Sequence, residues 1–456
     1  MTRRINPLAA GVLVLCLAAP LTARAQSLTD ALIDAYKNSF QLKAQRAALQ
    51  ATDEGVAQAV AAQRPALNAS ASVGATRLLN FNSTTRTASL ALSLKLTLWD
   101  GGAGQLGQEV AHQNVLVNRR NLTDTEQSVL LAAVTAYMDM RRDAKNLKLA
   151  ESNRTVLARQ VRATRERFDV GEVRRTDVSQ VEASLALAQS NVALRQGQLE
   201  ISREAYHVAT GKYPGVLRTP PPLPALPATL AAAKSIALRT HPSIARARIL
   251  SRIADLNVAR AEAAMKPKFS LGGAVGINAN SSSGDTVNLS ITGAVPLYQG
   301  GALSAAYRRA QELRDKSRAD VERAAQLVVQ QLNRVWAQLK IAKATIVARK
   351  KEVRASRVAL QGIREEADLG ARTTLDVLNA ESALLKAQTN LSVARHDEYV
   401  STYGVLAAMG LLTVRHLRLG VKPYDPGVHY KKVAGAPRLS ARAKLLKRIF
   451  KRAGKK

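Results

Sequence analysis

The residues Gly102-Ala103-Gly104-Gln105-Leu106-Gly107 spell G-x-G-x-x-G, a pattern whose glycines let a backbone close on a pyrophosphate at a helix start. The context opposes a dinucleotide site. The preceding stretch alternates apolar and polar residues instead of being apolar on both faces. The helix that follows is several times too long for a crossover unit, and a second copy of the motif keeps only Gly300-Gly301. Gly101-Gly102 and Gly300-Gly301 read instead as tight strand-to-helix turns. The histidines at 112, 207, 241, 396, 416 and 429 show no metal-ligand spacing, and the one cysteine, Cys16, lies near the N-terminus, so neither a metal centre nor thiol chemistry is expected. No G-x-S-x-G elbow and no G-K-[ST] phosphate loop occur. The expectation is a protein with no catalytic residue, cofactor or metal. The chemistry that remains is electrostatic: Gly171 and Gly370 each precede an acid by six residues, Asp177 and Asp376, with Arg372 between the second pair. A glycine past a helix end and an acid in the next first turn are ordinary stop and start signals.

Those two turns belong to an internal duplication. Leu98-Trp99-Asp100-Gly101-Gly102-Ala103 returns 199 residues later as Leu297-Tyr298-Gln299-Gly300-Gly301-Ala302, and the same offset relates Gly171 to Gly370, Asp177 to Asp376 and Gly211 to Gly410. Upstream the offset is 202, since Pro65 answers to Pro267, so a loop between two strand-like stretches absorbs the difference. Where length does not vary, each element is expected to pack beside its twin. The organisation expected is a signal peptide over 1–25, a first repeat over 26–219 (helix, two strands, long helix, helix), a Pro-rich linker over 220–228, a second repeat over 229–412, and a basic tail over 413–456, periplasmic and partly disordered.

Within each repeat, 29–64 and 229–266 have helix-forming composition and stop at Pro65 and Pro267. Strands of about ten residues follow. Leu67, Ala69, Ala71 and Val73 alternate with polar or small residues, as do Leu90, Leu92, Leu94, Leu96 and Leu98, then Phe269, Leu271, Val275 and Ile277, then Val287, Leu289 and Ile291. Polar turns at Asn80 to Thr85 and Ser281 to Asp285 separate the members of each pair. From Ala103 to Asp169 there is no proline, and a helix of that length spans roughly 100 Å. Two shorter helices of roughly 50 Å, stacked end to end, match it.

Arg3 and Arg4, the apolar run Leu8 to Pro20 and Ala23-Arg24-Ala25 form a secretion signal. No later run reaches the roughly 20 apolar residues of a membrane helix. The net charge is +33, and Lys431 to Lys456 holds eleven Lys or Arg and no acid. Secretion and sparse aromatics argue against a nucleic-acid partner. In the tail, Leu445, Leu446, Ile449 and Phe450 form one stripe among Lys444, Lys447, Arg448, Lys451 and Arg452, which suits either an anionic lipid surface or a solvated tail.

Four strands with an apolar face leave two open edges. In a membrane the sheet must close, which takes at least about eight strands, so several chains must pool theirs. Three chains give a twelve-stranded barrel, continued by a ring of twelve helical columns. The fold class expected is an α+β membrane protein: a trimeric 12-stranded outer-membrane β-barrel with four strands per chain, extended by a periplasmic α-helical coiled-coil tunnel. The shared barrel follows from the open edges, whereas the trimer and the periplasmic placement are what a family resemblance implies.

The paired Leu-Trp-Asp-Gly-Gly and Leu-Tyr-Gln-Gly-Gly strand ends, the two Gly-x-x-x-x-x-Asp-Val turns and the Pro-rich join resemble the TolC-type outer-membrane efflux family over roughly residues 27 to 412. The resemblance implies a passive export duct for protein secretion or small-molecule efflux. It also implies a homotrimer in the outer membrane with its tunnel in the periplasm, working with a periplasmic adaptor (membrane fusion protein) and an inner-membrane ABC or proton-driven transporter. The absence of a lipidated cysteine favours the type I secretion branch. The resemblance further implies a periplasmic gate at the turns, with Asp376 as the ring acid, Arg372 as a latching cation and Asp177 as its partner. Ala367 and Asn379 depart from the family pattern, where an aromatic latch and a second ring acid are common. The rivals are a soluble periplasmic coiled-coil scaffold or adaptor, and a secreted basic binding protein.

Overall fold

The computed structural model describes residues 26–78, 83–278, 284–434 and 448. The signal peptide, the tips of both strand hairpins and the amphipathic stripe of the tail, Arg448 apart, lie outside the described residues.

Each repeat opens with a pair of helices where the sequence suggests one. The pairs are α1 (Leu28–Asn38) with α2 (Phe40–Ala61), and α5 (Leu230–Thr240) with α6 (Pro242–Ala263). The breaks fall at Ser39 and His241, which take extended ψ values of 120° and 126° and cap the next helix by accepting from the N–H of Leu42 and Ser243. Pro242 at the first helical position makes the second break obligatory, because it has no N–H to continue α5.

The strands are β1 (Ala66–Leu78), β2 (Ser83–Trp99), β3 (Lys268–Asn278) and β4 (Thr286–Ala294), in one antiparallel sheet of order β1-β2-β3-β4. The first hairpin is longer than the ten residues expected, and Ser83 to Thr85 belong to β2 rather than to a turn. The register aligns the apolar faces of all four strands: Leu67 faces Leu94, Leu94 faces Gly273 and Gly273 faces Leu289. The next row joins Ala69, Leu92, Val275 and Val287. A bulge between Thr97 and Trp99 sets Trp99 opposite Phe269, with ring centroids 6.1 Å apart, so the indole joins the apolar face instead of alternating away.

From the sheet, α3 (Ala103–Asp169) runs to the far end, and α4 (Arg175–Thr210) returns. After the linker and second repeat, α7 (Ala302–Asp368) and α8 (Thr374–Ala408) do the same. Near the sheet the order of neighbours is α2, α3, α6, α7; toward the far end it is α4, α3, α8, α7. Each chain thus supplies four columns at every level. Two are 67-residue helices and two are stacks of a shorter pair.

The main core sits at mid-height, where Leu28, Leu32, Leu42, Leu130, Tyr137, Ile244, Leu332 and Leu406 are buried. Residues 413–434, the start of the segment expected as a tail, pack onto it through Val414 and Leu419, and Val433 is buried in α9 (Gly427–Val433), which lies against α2. Arg46 lies between the rings of Tyr36 and Tyr424, at 4.9 and 5.2 Å, and fastens this strap to α1 and α2.

Candidate functional site

At the far end of the helices, α3 stops at Gly171 and α7 at Gly370, both with φ +79°. Glu172 N–H donates to Arg167 O at 2.9 Å and Ala371 N–H to Glu366 O at 2.8 Å, closing each helix with the i→i−5 bond that a left-handed glycine permits. Open space surrounds both α-carbons, so the backbone angle alone requires glycine there.

The returning helices start on acids. Asp376 accepts from Thr373 N–H at 3.0 Å and from its hydroxyl at 2.8 Å, while Thr373 Oγ1 accepts from Asp376 N–H at 3.2 Å. These bonds, the backbone one first, hold the Asp376 pKa below the usual aspartate value. Asp177 accepts from Arg174 N–H at 3.1 Å. Arg372 turns to Glu366, 2.7 Å away across its own turn, and within the protomer it does not meet Asp177, the partner that the resemblance implied. In the first repeat the signs are exchanged, with Arg167 on the helix end and Glu172 past the glycine, 3.9 Å apart.

Two ion pairs that sequence reasoning missed tie the outgoing and returning helices just above these turns. Arg165 meets Glu182 at 2.5 Å, and Arg364 meets Glu381 at 2.7 Å. Both obey the 199-residue offset, so laying the repeats over one another and comparing charged residues would have found them. Their surroundings differ. Glu182 is 41% exposed, whereas Glu381 is 6% exposed, because α8 lies between α3 and α7 while α4 lies at the edge. The other carboxylate oxygen of Glu381 is buried without a hydrogen-bond partner. A small apolar cluster of Leu157, Val161, Val181, Ala188 and Leu378 backs this region.

At the opposite end of the helices, Gly101, Gly102, Gly300 and Gly301 have φ of +71°, +91°, +57° and +85°. A β-carbon on Gly101 would lie 2.8 Å from Ala263 O. Gly102 and Gly301 cap α3 and α7, and Asp100 accepts from the N–H of Gly102 and Gly104 at 3.1 and 2.7 Å. The Gln63 side chain covers Gly104. The G-x-G-x-x-G run is thus a packed corner in which Asp100 takes the amides that a phosphate would need. The histidines are dispersed: His241 caps a helix, His207 stacks on Tyr213, His429 meets Asp53, and His396 lies between Asp139 and Asp397. Among the described residues, no three His, Asp or Glu side chains gather as a metal ion would require.

The family model described as outer membrane efflux protein matches residues 31–212 and again 234–411, one match per repeat. The chain belongs to this family. It is 34% identical over 418 residues to the outer membrane efflux protein BepC of Brucella suis, covering 90% of this chain and 91% of that protein. It is 27% identical over 320 residues to the alkaline protease secretion protein AprF of Pseudomonas aeruginosa, covering 67% and 66%. Among solved structures, the fold matches CusC with a TM-score of 0.74 at 21% identity, over 85% of this chain and 92% of that one. It matches the outer membrane protein VceC of Vibrio cholerae with a TM-score of 0.71 at 19% identity, over 84% and 96%. The fold is that of the outer-membrane efflux channels, and members of the family are channels. The chain is an outer-membrane efflux channel with its helical tunnel in the periplasm, and a soluble scaffold is not favoured.

Proposed function

We propose that three copies of this chain form a closed duct through which an inner-membrane transporter, joined by a periplasmic adaptor, exports its cargo. The observation that carries this reading is that the protomer has unfinished edges at two levels. In the sheet, β4 ends at Ala294, and Leu297 and Tyr298 are 92% and 88% exposed, whereas their counterparts Leu98 and Trp99, beside β3, are 50% and 45% exposed. A neighbouring β1 beside β4 would give the second pair the setting of the first. In the tunnel, the edge helix α4 exposes Leu187, Leu194, Ile201 and Val208, one per heptad. The other edge helix, α7, exposes Leu313, Leu327 and Ile341 two heptads apart, with Asp320 and Arg334 at the heptad positions between them, and then the small Ala348 and Ala355. A stripe of large residues facing one that turns small is the complementarity of a coiled-coil seam. Replacing Leu194 and Ile201 with Asp tests it: the purified protein should run as a folded monomer in detergent, without the heat-modifiable trimer. A trimer that persists removes the seam.

The turns form the periplasmic mouth in this reading. Asp376 faces the narrowed lumen, and Arg372 exchanges its Glu366 partner for Asp177 of an adjoining helix when the mouth is latched. Such exposed pairs are screened by water, so they can gate but cannot hold the fold. Unchanged single-channel conductance after Arg372→Ser with Asp177→Ala would dismiss the latch. Val170 and Leu369 are exposed at equivalent places beside the two glycines, so a trimer offers six apolar tips to an adaptor. A type I secretion assignment is supported by the likeness to AprF, a protease secretion protein.

A further inference from the structure

The charges on the sheet are placed selectively. On the apolar face no Asp, Glu, Lys or Arg interrupts the rows from the Trp99–Phe269 pair up to the Val73–Ala88 pair. Above that row come two arginines, Arg86 opposite Ala75 and Arg77 opposite Thr84. Both are on the lipid-facing side by register, and both are exposed. At the same height the other face carries Gly74, Thr76, Thr85 and Thr87. The cations thus stand where lipid lies, not where the lumen lies, although a lumen position would have cost nothing in desolvation. The second hairpin is shorter and carries no Arg or Lys at its outer end, with Asp285 beside Thr286.

Height decides what the arginines meet. Trp99 marks the periplasmic border, as aromatic girdles do. Arg86 is thirteen residues further along β2, about 43 Å at 3.3 Å per residue and about 33 Å along the membrane normal at a 40° tilt. An outer-membrane apolar band is about 25 Å tall, and each headgroup layer adds about 5 to 7 Å. Arg86 therefore clears the hydrocarbon and reaches the phosphate layer of the outer leaflet, and Arg77 stands slightly higher. The two are diagonal neighbours on adjacent strands, with α-carbons about 7 to 8 Å apart, so one phosphate falls within the span of both side chains. Planar guanidinium forks bind phosphate oxygens in pairs and hold their charge at any physiological pH.

We infer that Arg77 and Arg86 form a phosphate-binding site for a phosphorylated glycolipid of the outer leaflet, one site per protomer. The inference rests on the closed barrel. Its ligand class is a lipid phosphomonoester, and free phosphate is the competing source.

The test is native mass spectrometry of the detergent-purified trimer titrated with bisphosphorylated lipid A, with its dephosphorylated form, and with inorganic phosphate as competitor. The expected result is up to three bisphosphorylated lipids per trimer, binding at least tenfold weaker to the Arg77→Gln/Arg86→Gln protein, and no preference between the two proteins for dephosphorylated lipid. Millimolar inorganic phosphate should leave the lipid bound. Equal binding of both lipid forms, equal binding by the variant, or displacement by inorganic phosphate each overturns the site. If the glutamine protein fails to trimerise, Arg77→Lys/Arg86→Lys takes its place: it keeps the charge, loses the fork geometry, and should bind measurably weaker with a steeper salt dependence. Wild-type affinity and salt response in that protein also overturn the site. A wild-type chain that forms no trimer would instead sink the duct itself, an outcome distinct from a trimer without phosphate preference.

Discussion

Replacing Arg364 with Met should loosen the periplasmic end far more than the equivalent change at Arg165. Both arginines reach across the same helix pair in duplicated positions, at 2.7 and 2.5 Å from their glutamates. Arg364→Met strands a carboxylate that is 6% exposed and already has one oxygen without a partner. Removing one member of a buried pair costs about 3 to 5 kcal/mol, but Arg364 is itself 46% exposed, so water screens the pair and about 1.5 to 2.5 kcal/mol is the fitting range. Arg165 and Glu182 are 60% and 41% exposed, and their pair contributes about 0 to 1 kcal/mol. If the outgoing and returning helices part at this point when the mouth opens, the closed state loses about ten- to sixtyfold in population for Arg364→Met and fivefold at most for Arg165→Met, at about 1.4 kcal/mol per factor of ten. Open probability of single channels in planar bilayers reads this directly. Arg364→Met combined with Glu381→Leu removes the stranded charge and should recover most of the closed population, as a double-mutant cycle on a buried pair requires. Equal effects at Arg165 and Arg364, or no rescue by the double change, would refute the reasoning.

Gly370→Ala should lower the thermal stability of the trimer by the equivalent of about 1 kcal/mol, since φ is +79° there and nothing else resists a methyl group; differential scanning fluorimetry of the two proteins measures it. Gly101→Ala should cost more than Gly102→Ala, because only Gly101 faces a backbone oxygen at 2.8 Å. His396 gives a pH signature. Burial opposes its charged form, but Asp139 and Asp397, 3.0 and 2.9 Å away, outweigh burial and raise its pKa. Its stabilising contribution is therefore fully present below the ordinary histidine value of about 6.5 and is lost as pH rises through the raised folded value. The Tm difference between wild type and His396→Gln should shrink between pH 6 and pH 9, and a difference that grows would reverse the assignment.

Much of this was legible in the chain because the repeats are long and periodic. Leu90 to Leu98 alternates without a break, so the lipid face of β2 could be read directly, whereas its register against β3 came only with the structure. Other features depend on partners distant in sequence. Trp99 reads as a lumen residue by alternation, and only the bulge that brings it to Phe269 moves it. Ser39 looks like an interior helix residue until its φ and ψ show a cap, although His241-Pro242 in the second copy carried the signal. The strap over 413–434 has no twin in the first repeat, so nothing in the duplication announces that Val414 and Leu419 fill the core. At the far turns, the glycine-to-acid spacing pointed to Asp177 and Asp376, whereas Arg372 came from the family resemblance and its partner Glu366 was not foreseen. Glu366 is adjacent to Glu365, and nothing in the sequence says which faces Arg372.

The two 67-residue helices also work as a ruler. Because α3 and α7 run the full height while their companions are stacked pairs, every column must reach the same floor. Adding a heptad to one long helix would push its turn about 10 Å past its neighbours and leave the floor ragged. A longer conduit therefore requires matched insertions in both long helices and in both short stacks, four edits made together. An engineered duct of altered reach is possible only in steps of that size, and the depth of periplasm the protein can bridge is fixed by the chain itself.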